Sequence, residues 1–145
     1  PERPATTSQG WVTVGGKWRY VGNDGAYATG WIKVKGTWYY LHGNGDMATG
    51  WLKLGKTWYY LKGSGAMATG WLILGKTWYY LKGSGAMATG WYQVGRTWYY
   101  SNGSGAMQAN RWIGNYYVKS SGAMATSQWI GRYHVNASGK WDKTR

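Results

Sequence analysis

A block of 20 residues repeats along the chain, and this repetition constrains the fold more than any other feature of the sequence. The pair Gly-Trp recurs with its tryptophan at five positions 20 residues apart, and a second tryptophan follows seven residues after each of them. Residues 51–70 and 71–90 differ only where Lys53 is replaced by Ile73. Short blocks at fixed spacing are typical of arrays in which each unit packs on its sequence neighbours.

Each block predicts a β-hairpin. In residues 51–61 apolar side chains alternate over a short run, a Gly-Lys pair follows, and aromatic residues complete the segment. This pattern is typical of two strands joined by a tight turn, where glycine is favoured because such turns need positive φ angles. The predicted two-residue turns lie at 15–16, 35–36, 55–56, 75–76 and 95–96.

A two-residue turn fixes which side chains share a face of the hairpin, because side chains alternate along a strand. In the third block, Trp51, Trp58 and Tyr60 are predicted on one face. The opposite face is aliphatic apart from one tyrosine, and we interpret it as the core. Its residues are Leu52, Leu54, Tyr59 and Leu61.

A single hairpin is marginally stable in water, so the hairpins must stack on one another. We therefore expect an all-β chain that forms a β-solenoid of about seven stacked hairpin repeats. The spacing changes after the fifth block, where Trp112 and Trp129 begin two shortened units. The predicted organisation is a linker at 1–10, five regular repeats at 11–110, and two degenerate repeats at 111–145 that act as a C-terminal cap.

Composition argues against several classes of function. The sequence has no cysteine, which removes disulfides, zinc–thiolate sites and cysteine nucleophiles. Its single glutamate is Glu2, and its histidines are His42 and His134. These residues give no paired carboxylates, nucleophile–base set or metal cluster, so we expect no enzymatic activity, metal or cofactor. No apolar run approaches the roughly 18 residues of a membrane span.

The block GWLKLGKTWYYLKGSGAMATG at 50–70 resembles the cell-wall-binding repeats found in the choline-binding modules of bacterial cell-wall hydrolases. Related repeats occur in glucan-binding regions of glucansucrases and in the receptor-binding ends of clostridial toxins. The resemblance covers residues 10–110 well and 111–141 in degenerate form. It implies a left-handed superhelix of hairpins with ligand sites between successive units.

In that family a site takes two tryptophans from one repeat and a tyrosine from the next, with a methionine nearby. Such partly open rings form an aromatic cage that attracts a quaternary ammonium group. Carried over by position, the resemblance groups Trp11 and Trp18 with Tyr40, Trp31 and Trp38 with Tyr60, Trp51 and Trp58 with Tyr80, Trp71 and Trp78 with Tyr100, and Trp91 and Trp98 with Tyr117. The methionines implied as fourth walls are Met47, Met67, Met87 and Met107.

The last two units depart from the family pattern. Alignment by position puts Asn115 where a second tryptophan is expected and His134 where a tyrosine is expected. The grouping of Trp112 with these two residues is a poor aromatic cage. We therefore interpret this end as a cap or as a contact surface for another chain.

The resemblance implies a secreted, cell-wall-associated module without catalytic activity that binds choline residues of (lipo)teichoic acid or another cell-wall polymer. It also implies a further domain before residue 1, such as a cell-wall hydrolase, and it leaves homodimerisation open. The alternative is a glucan- or polysaccharide-binding module that stacks sugars on the same rings. Nucleic acid is disfavoured because the cages are regularly spaced.

The chain carries a formal net charge of +13, and its lysines are scattered through the repeats. One interpretation is solubility for an aromatic-rich module. The other is contact with the phosphodiesters of an anionic polymer, with the aromatic cages taking the ammonium groups. The sequence leaves both interpretations open.

Overall fold

The structure is a computed structural model that describes residues 10–145. The predicted linker lies outside the described residues except for Gly10. Within 10–145 the chain forms seven antiparallel hairpins, and the last of them gains a third strand. The strands are β1 Gly10–Val14, β2 Lys17–Val21, β3 Gly30–Val34, β4 Thr37–Leu41, β5 Gly50–Leu54, β6 Thr57–Leu61, β7 Gly70–Leu74, β8 Thr77–Leu81, β9 Gly90–Val94, β10 Thr97–Ser101, β11 Arg111–Ile113, β12 Tyr116–Val118, β13 Gln128–Ile130, β14 Tyr133–Val135 and β15 Trp141–Thr144.

The predicted hairpin register is confirmed. Leu54 pairs with Thr57 and Trp51 with Tyr60, which leaves residues 55–56 as the turn. The shortened sixth hairpin keeps the same relation, because Trp112 pairs with Tyr117. The all-β class and the stack of hairpin repeats predicted from the sequence are thus confirmed. The described residues contain no helix that is long and apolar enough to cross a membrane.

The described residues divide into two compact units. One runs to Thr69 and includes Gly83–Ala86, and the other contains Gly70–Lys82 and Met87–Arg145. The first unit holds β1–β6, and the second holds β7–β15. This division lies near residue 70, whereas the sequence predicts a boundary at 110. The capping role of 111–145 stays a prediction.

Backbone hydrogen bonds link the connector that follows one hairpin to the second strand of the hairpin one repeat earlier. In the first unit the amide of Met47 donates to the carbonyl of Trp18, and that of Met67 donates to the carbonyl of Trp38, each at 2.8 Å. In the second unit the amide of Met107 donates to the carbonyl of Trp78 at 2.8 Å. These bonds join successive hairpins within each unit and give partners to backbone groups that lie outside the two-stranded ladders.

The core of each unit is small and repeats with the sequence. Leu41 and Leu61 are fully buried in the first unit, and Leu81, Val118 and Val135 are fully buried in the second. These residues end the second strand of their hairpins. The predicted core face is only partly correct, because Leu52 and Leu54 are half-buried. Alanines of the connectors complete the buried set, namely Ala48, Ala68, Ala88 and Ala125.

The fifth hairpin contains a compensated change in this core. Tyr92 and Ser101 occupy the positions that Leu72 and Leu81 hold in the preceding hairpin. The larger ring and the smaller side chain replace two leucines, and the Tyr92 hydroxyl and Ser101 Oγ lie 2.8 Å apart in a buried hydrogen bond. Burial raises the pKa of Tyr92 above its ordinary value, although the hydrogen bond to Ser101 opposes this shift.

Substitution Ser101→Ala is expected to leave the buried Tyr92 hydroxyl without its partner. Such a loss costs about 1–3 kcal/mol, whereas removal of both partners costs much less. Thermal or urea unfolding of Ser101→Ala, Tyr92→Phe and the double variant measures the difference. The double variant should be more stable than Ser101→Ala alone, and equal losses in both would contradict the role of the hydrogen bond.

The turns differ in backbone geometry. In the second hairpin both turn residues have positive φ, with Lys35 at 50° and Gly36 at 83°. In the third hairpin the first turn residue, Gly55, has a φ of 63°, whereas the φ angle of Lys56 is not positive. A lysine is disfavoured at positive φ, whereas asparagine tolerates it and Asn-Gly is the preferred pair for a turn of this kind.

Substitution Lys35→Asn is therefore expected to stabilise the first unit by about 0.5–1 kcal/mol, because it relieves the strain of a lysine at positive φ. Lys56→Asn is the matched control, since that residue lies outside the positive region. Thermal unfolding monitored by tryptophan fluorescence measures both. A higher midpoint for Lys56→Asn than for Lys35→Asn would contradict this explanation.

Candidate aromatic ligand sites

Two tryptophans in each of the first four hairpins form a right-angled corner. Trp31 lies on β3 and Trp38 on β4, on the same face and diagonally across the ladder. Their ring centroids are 6.4 Å apart and their planes are inclined at 86°. The same corner recurs for Trp11–Trp18 at 6.5 Å, Trp51–Trp58 at 6.3 Å and Trp71–Trp78 at 6.2 Å.

A tyrosine of the following hairpin provides the third ring. Tyr59 lies 5.1 Å from Trp31 with the planes at 67°. The equivalent pairs are Trp11–Tyr39 at 4.8 Å, Trp71–Tyr99 at 4.8 Å and Trp91–Tyr116 at 5.6 Å. The third ring is thus one residue earlier than the sequence assignment in each of these pairs.

The tyrosines assigned from the sequence lie elsewhere. Tyr40 packs on Trp31 of its own hairpin at 5.1 Å, because the two residues are directly opposite in the ladder. Tyr60, Tyr80, Tyr100 and Tyr117 pack in the same way on Trp51, Trp71, Trp91 and Trp112. The assignment of the third ring is corrected because successive hairpins in a unit pack with opposite faces in contact. The tryptophan face of one meets the opposite face of the next, where Tyr59 and its equivalents lie.

These rings enclose a cavity in the first unit. Trp31, Trp38, Tyr59 and Met67 line it together with the turn residues Gly83 and Ser84, and its volume is ≈ 340 Å³. Three successive blocks therefore contribute to one cavity. The first supplies the tryptophans, the second the tyrosine and methionine, and the third the turn that closes the rim.

The second unit contains an equivalent cavity of ≈ 560 Å³. Trp71, Trp78, Tyr99 and Met107 form its walls. Lys76 and the turn residues Ser120 and Ser121 also line it, so a cation stands at this cavity together with two hydroxyl groups.

Each methionine reaches its position because a glycine leaves room for it. Gly122 has a φ of 89°, and a Cβ built on it would overlap the side chain of Met107. The same relation joins Gly85 to Met67 in the first unit. Glycine is required here twice over, by the backbone angle and by the close approach of the thioether.

The remaining predicted residues are placed as follows. Trp11, Trp18 and Met47 come together in the first unit, where the Met47 amide bonds to the Trp18 carbonyl. Trp51 and Trp58 belong to the first unit, whereas Met87 belongs to the second, where it packs against Gly105.

The fifth hairpin is less regular. Trp98 lines a more polar cavity of ≈ 500 Å³ together with Met124, Arg96 and Lys119. The sequence assignment missed Met124. The signal was available, because the Gly-Ala-Met sequence at 122–124 repeats the one at 105–107 in the shortened unit.

Carboxylates are absent from these cavities among residues 10–145. Asp46 pairs with Arg19 at 3.0 Å, Asp142 lies 2.7 Å from His134 Nδ1, and Asp24 accepts a hydrogen bond from the amide of Ala26. The walls are therefore neutral rings, with cations nearby. Lys33 Nζ lies 5.8 Å from the ring centroid of Trp38, and Ile73 replaces that lysine in the fourth hairpin.

In the last two hairpins the predicted grouping of Trp112 with His134 does not occur. His134 packs on Trp129 at 4.9 Å. The ring of the following hairpin that packs on Trp112 is Tyr133, at 5.8 Å. The one-residue displacement of the third ring found in the regular hairpins thus extends to the degenerate ones.

Comparison with known proteins identifies relatives with the same repeats. One choline-binding repeat family matches at residues 8–49, 28–70, 48–92 and 68–112, and a second choline-binding repeat family matches at 106–141. No curated protein sequence matches the chain.

Solved structures of pneumococcal proteins resemble the chain. CbpJ of Streptococcus pneumoniae TIGR4 is 47% identical with a TM-score of 0.85, over 93% of this chain and 48% of CbpJ. Choline binding protein F of the same species, determined with a peptidoglycan analogue, is 46% identical with a TM-score of 0.87, over 94% of this chain and 47% of that protein. The choline-binding domain of CbpL from S. pneumoniae is 32% identical with a TM-score of 0.64, over 96% of this chain and 100% of the domain.

The chain spans about half the length of CbpJ and choline binding protein F. The family matches run through the regular blocks and the shortened ones, and the structural matches cover nearly all of the chain. The chain belongs to the choline-binding repeat family.

Proposed function

We propose that the chain is a non-catalytic module that binds choline groups of a cell-wall (lipo)teichoic acid and thereby anchors a protein to the bacterial cell wall. The observation that carries this proposal is the cavity between Trp31, Trp38, Tyr59 and Met67. Its ring faces meet at steep angles and leave a space between them. Trimethylammonium groups suit such a space, because the negative faces of aromatic rings attract a diffuse cation without a hydrogen bond.

The geometry favours a compact cation over a sugar ring. A pyranose stacks on one flat ring face and needs polar side chains for its hydroxyl groups, whereas the planes of Trp31 and Trp38 meet at 86°. Apart from the hydroxyl of Tyr59 and the indole N–H groups, Ser84 supplies the polar side chain at this cavity, and no charged or amide side chain lines it. Polysaccharide binding therefore remains the second candidate and is an outcome of the tests below.

The repetition supplies avidity. An ammonium–ring contact contributes about 0.5–2 kcal/mol, so three rings support only about millimolar affinity at one site. Linked sites on a repeating polymer raise the overall affinity by about 10²–10⁴. A row of similar cavities is thus suited to a polymer that carries the same group many times.

Basic side chains suit the phosphate that accompanies choline on such a polymer. Lys76 lines the cavity of the fourth hairpin, and Arg96 and Lys119 line the cavity beside Trp98. A phosphodiester next to the bound ammonium group would meet these cations. Charge-assisted hydrogen bonds to phosphate are stronger than neutral ones, which favours a decorated teichoic acid over free choline.

We also propose that the protein is secreted and associated with the cell wall, that residues 1–10 link it to a further domain such as a cell-wall hydrolase, and that 111–145 cap the array. Neighbouring structures that contain peptidoglycan analogues support a cell-wall location. We propose no catalytic role, because residues 10–145 bring no three acidic or histidine side chains together and the His134–Asp142 pair does not line these cavities.

Substitution Trp38→Ala is expected to abolish one choline site, because Trp38 forms one wall of the cavity. Trp129→Ala is the matched control, since the two indoles are similarly exposed, at 39% and 37%, and Trp129 packs against His134 and Arg145 instead of lining a cavity. Equilibrium dialysis counts choline molecules per chain. Trp38→Ala should bind one fewer than the wild type, and Trp129→Ala should bind the same number.

The wild-type titration separates the candidate functions. Saturable binding of choline chloride, with no response to sodium chloride at equal ionic strength, supports the proposal. If no choline binding is detected at tens of millimolar choline and the protein is retained on a dextran gel, the polysaccharide-binding candidate is favoured instead.

Substitution Gly122→Ala is expected to lower both stability and choline affinity of the second unit. The new Cβ meets Met107 and sits at positive φ, a strain of about 1–3 kcal/mol. Gly103→Ala is the control, because a Cβ there meets nothing within 4 Å. Thermal unfolding and choline titration measure the two variants, and equal behaviour would contradict the role of Gly122.

A further inference from the structure

We propose that the C-terminal end of the second unit contains an additional site for a quaternary ammonium group, built from Trp112, Tyr133, Trp141 and Asn115. This inference rests on the proposed function for its ligand class. It differs from the assignment made from the sequence, in which this end lacks a complete cage.

The four residues line a common cavity. Its volume is ≈ 320 Å³, and Gly114 of the hairpin turn completes the wall. Trp112 and Tyr133 are 5.8 Å apart at 84°, and Tyr133 and Trp141 are 5.9 Å apart at 87°. Three rings thus meet at nearly right angles, as in the regular cavities.

Backbone bonding shows how this cavity corresponds to the others. The amide of Trp141 donates to the carbonyl of Asn115 at 2.8 Å. In the regular repeats of the same unit the donor in this bond is Met107 and the acceptor is Trp78, also at 2.8 Å. Trp141 therefore stands in the methionine position, and Asn115 stands in the position of the second tryptophan.

The exchange keeps three aromatic rings at the site. A regular cavity has two tryptophans, a tyrosine and a methionine, and this one has two tryptophans, a tyrosine and an asparagine. The indole lost at Asn115 is supplied from the opposite side by Trp141. A search for aromatic residues at fixed sequence spacing cannot find this substitution, because it pairs two changes that are 26 residues apart.

Trp141 is held in place before any ligand arrives. Its indole Nε1 donates to the carbonyl of Lys143 at 3.2 Å and to Thr144 Oγ1 at 3.1 Å. Its backbone is paired with Val135 of β14. A wall fixed in this way needs little ordering on binding, which reduces the entropic cost of binding.

The rings remain accessible to a ligand. Tyr133 is 38% exposed and Trp141 is 45% exposed. The nearby cation Arg145 is held 4.4 Å from the centroid of Trp129 and does not line the cavity. Asp142 is bound to His134, so no carboxylate lines the cavity either, and attraction comes from the ring faces.

Asn115 gives this site a side-chain amide where the regular cavities have the second indole. Its amide lies at an exposed position in the cavity wall and can donate a hydrogen bond to an oxygen beside the ammonium group. The chemistry that fits is a quaternary ammonium group attached to a hydroxyl or phosphate oxygen.

The test uses the full chain labelled with 5-fluorotryptophan and titrated with choline chloride. The ¹⁹F resonance of Trp141, assigned by its absence in Trp141→Phe, is expected to shift saturably. Sodium chloride at equal ionic strength should not move it. The shift should persist in Trp38→Ala, because that residue belongs to another cavity.

Counting sites gives an independent measurement. Trp141→Leu should bind one choline fewer per chain than the wild type, while Trp129→Ala should bind the wild-type number. If the wild type binds choline but the Trp141 resonance stays fixed and the count in Trp141→Leu is unchanged, the additional site does not exist and the proposed function stands. If the wild type binds no choline, the proposed function itself is contradicted.

Discussion

The contact between a tryptophan of one hairpin and a tyrosine of the next is the interaction on which the rest of the structure depends. Trp31 meets Tyr59 edge-on at 5.1 Å, and this contact joins two hairpins that would each be marginal alone. Edge-on rings cannot fill the space between the hairpins. The packing that stabilises each unit therefore also leaves the cavities between its repeats.

The hairpins, their turns and their register are predictable from sequence because they depend on local chemistry. A two-residue turn at 55–56 forces Trp51 opposite Tyr60, and both the pattern and the structure agree on this pair. The third wall of each cavity was not predictable in the same way. Whether Tyr59 or Tyr60 reaches Trp31 depends on which faces of two hairpins meet, and a single block contains no information about that.

In the two degenerate repeats at 111–145, the walls of the cavity are even harder to predict from the sequence. Asn115 departs from the repeat pattern, and taken alone it predicts a missing wall. The replacement wall, Trp141, comes from a four-residue strand that pairs with β14, where a regular block has only a single bridge made by its methionine. By contrast, the exchange at Tyr92 and Ser101 is local to one hairpin, and its two members are opposite ends of one hydrogen bond.

The cavity of the first unit draws its walls from three successive blocks, with Trp38, Met67 and Ser84 each coming from a different one. If recombination inserts or deletes one whole block, the hairpins on either side of the change therefore still present complementary faces to each other. The number of cavities then rises or falls by one without new walls having to evolve. Near-identical neighbours such as 51–70 and 71–90 are what recent duplication of that kind would leave behind.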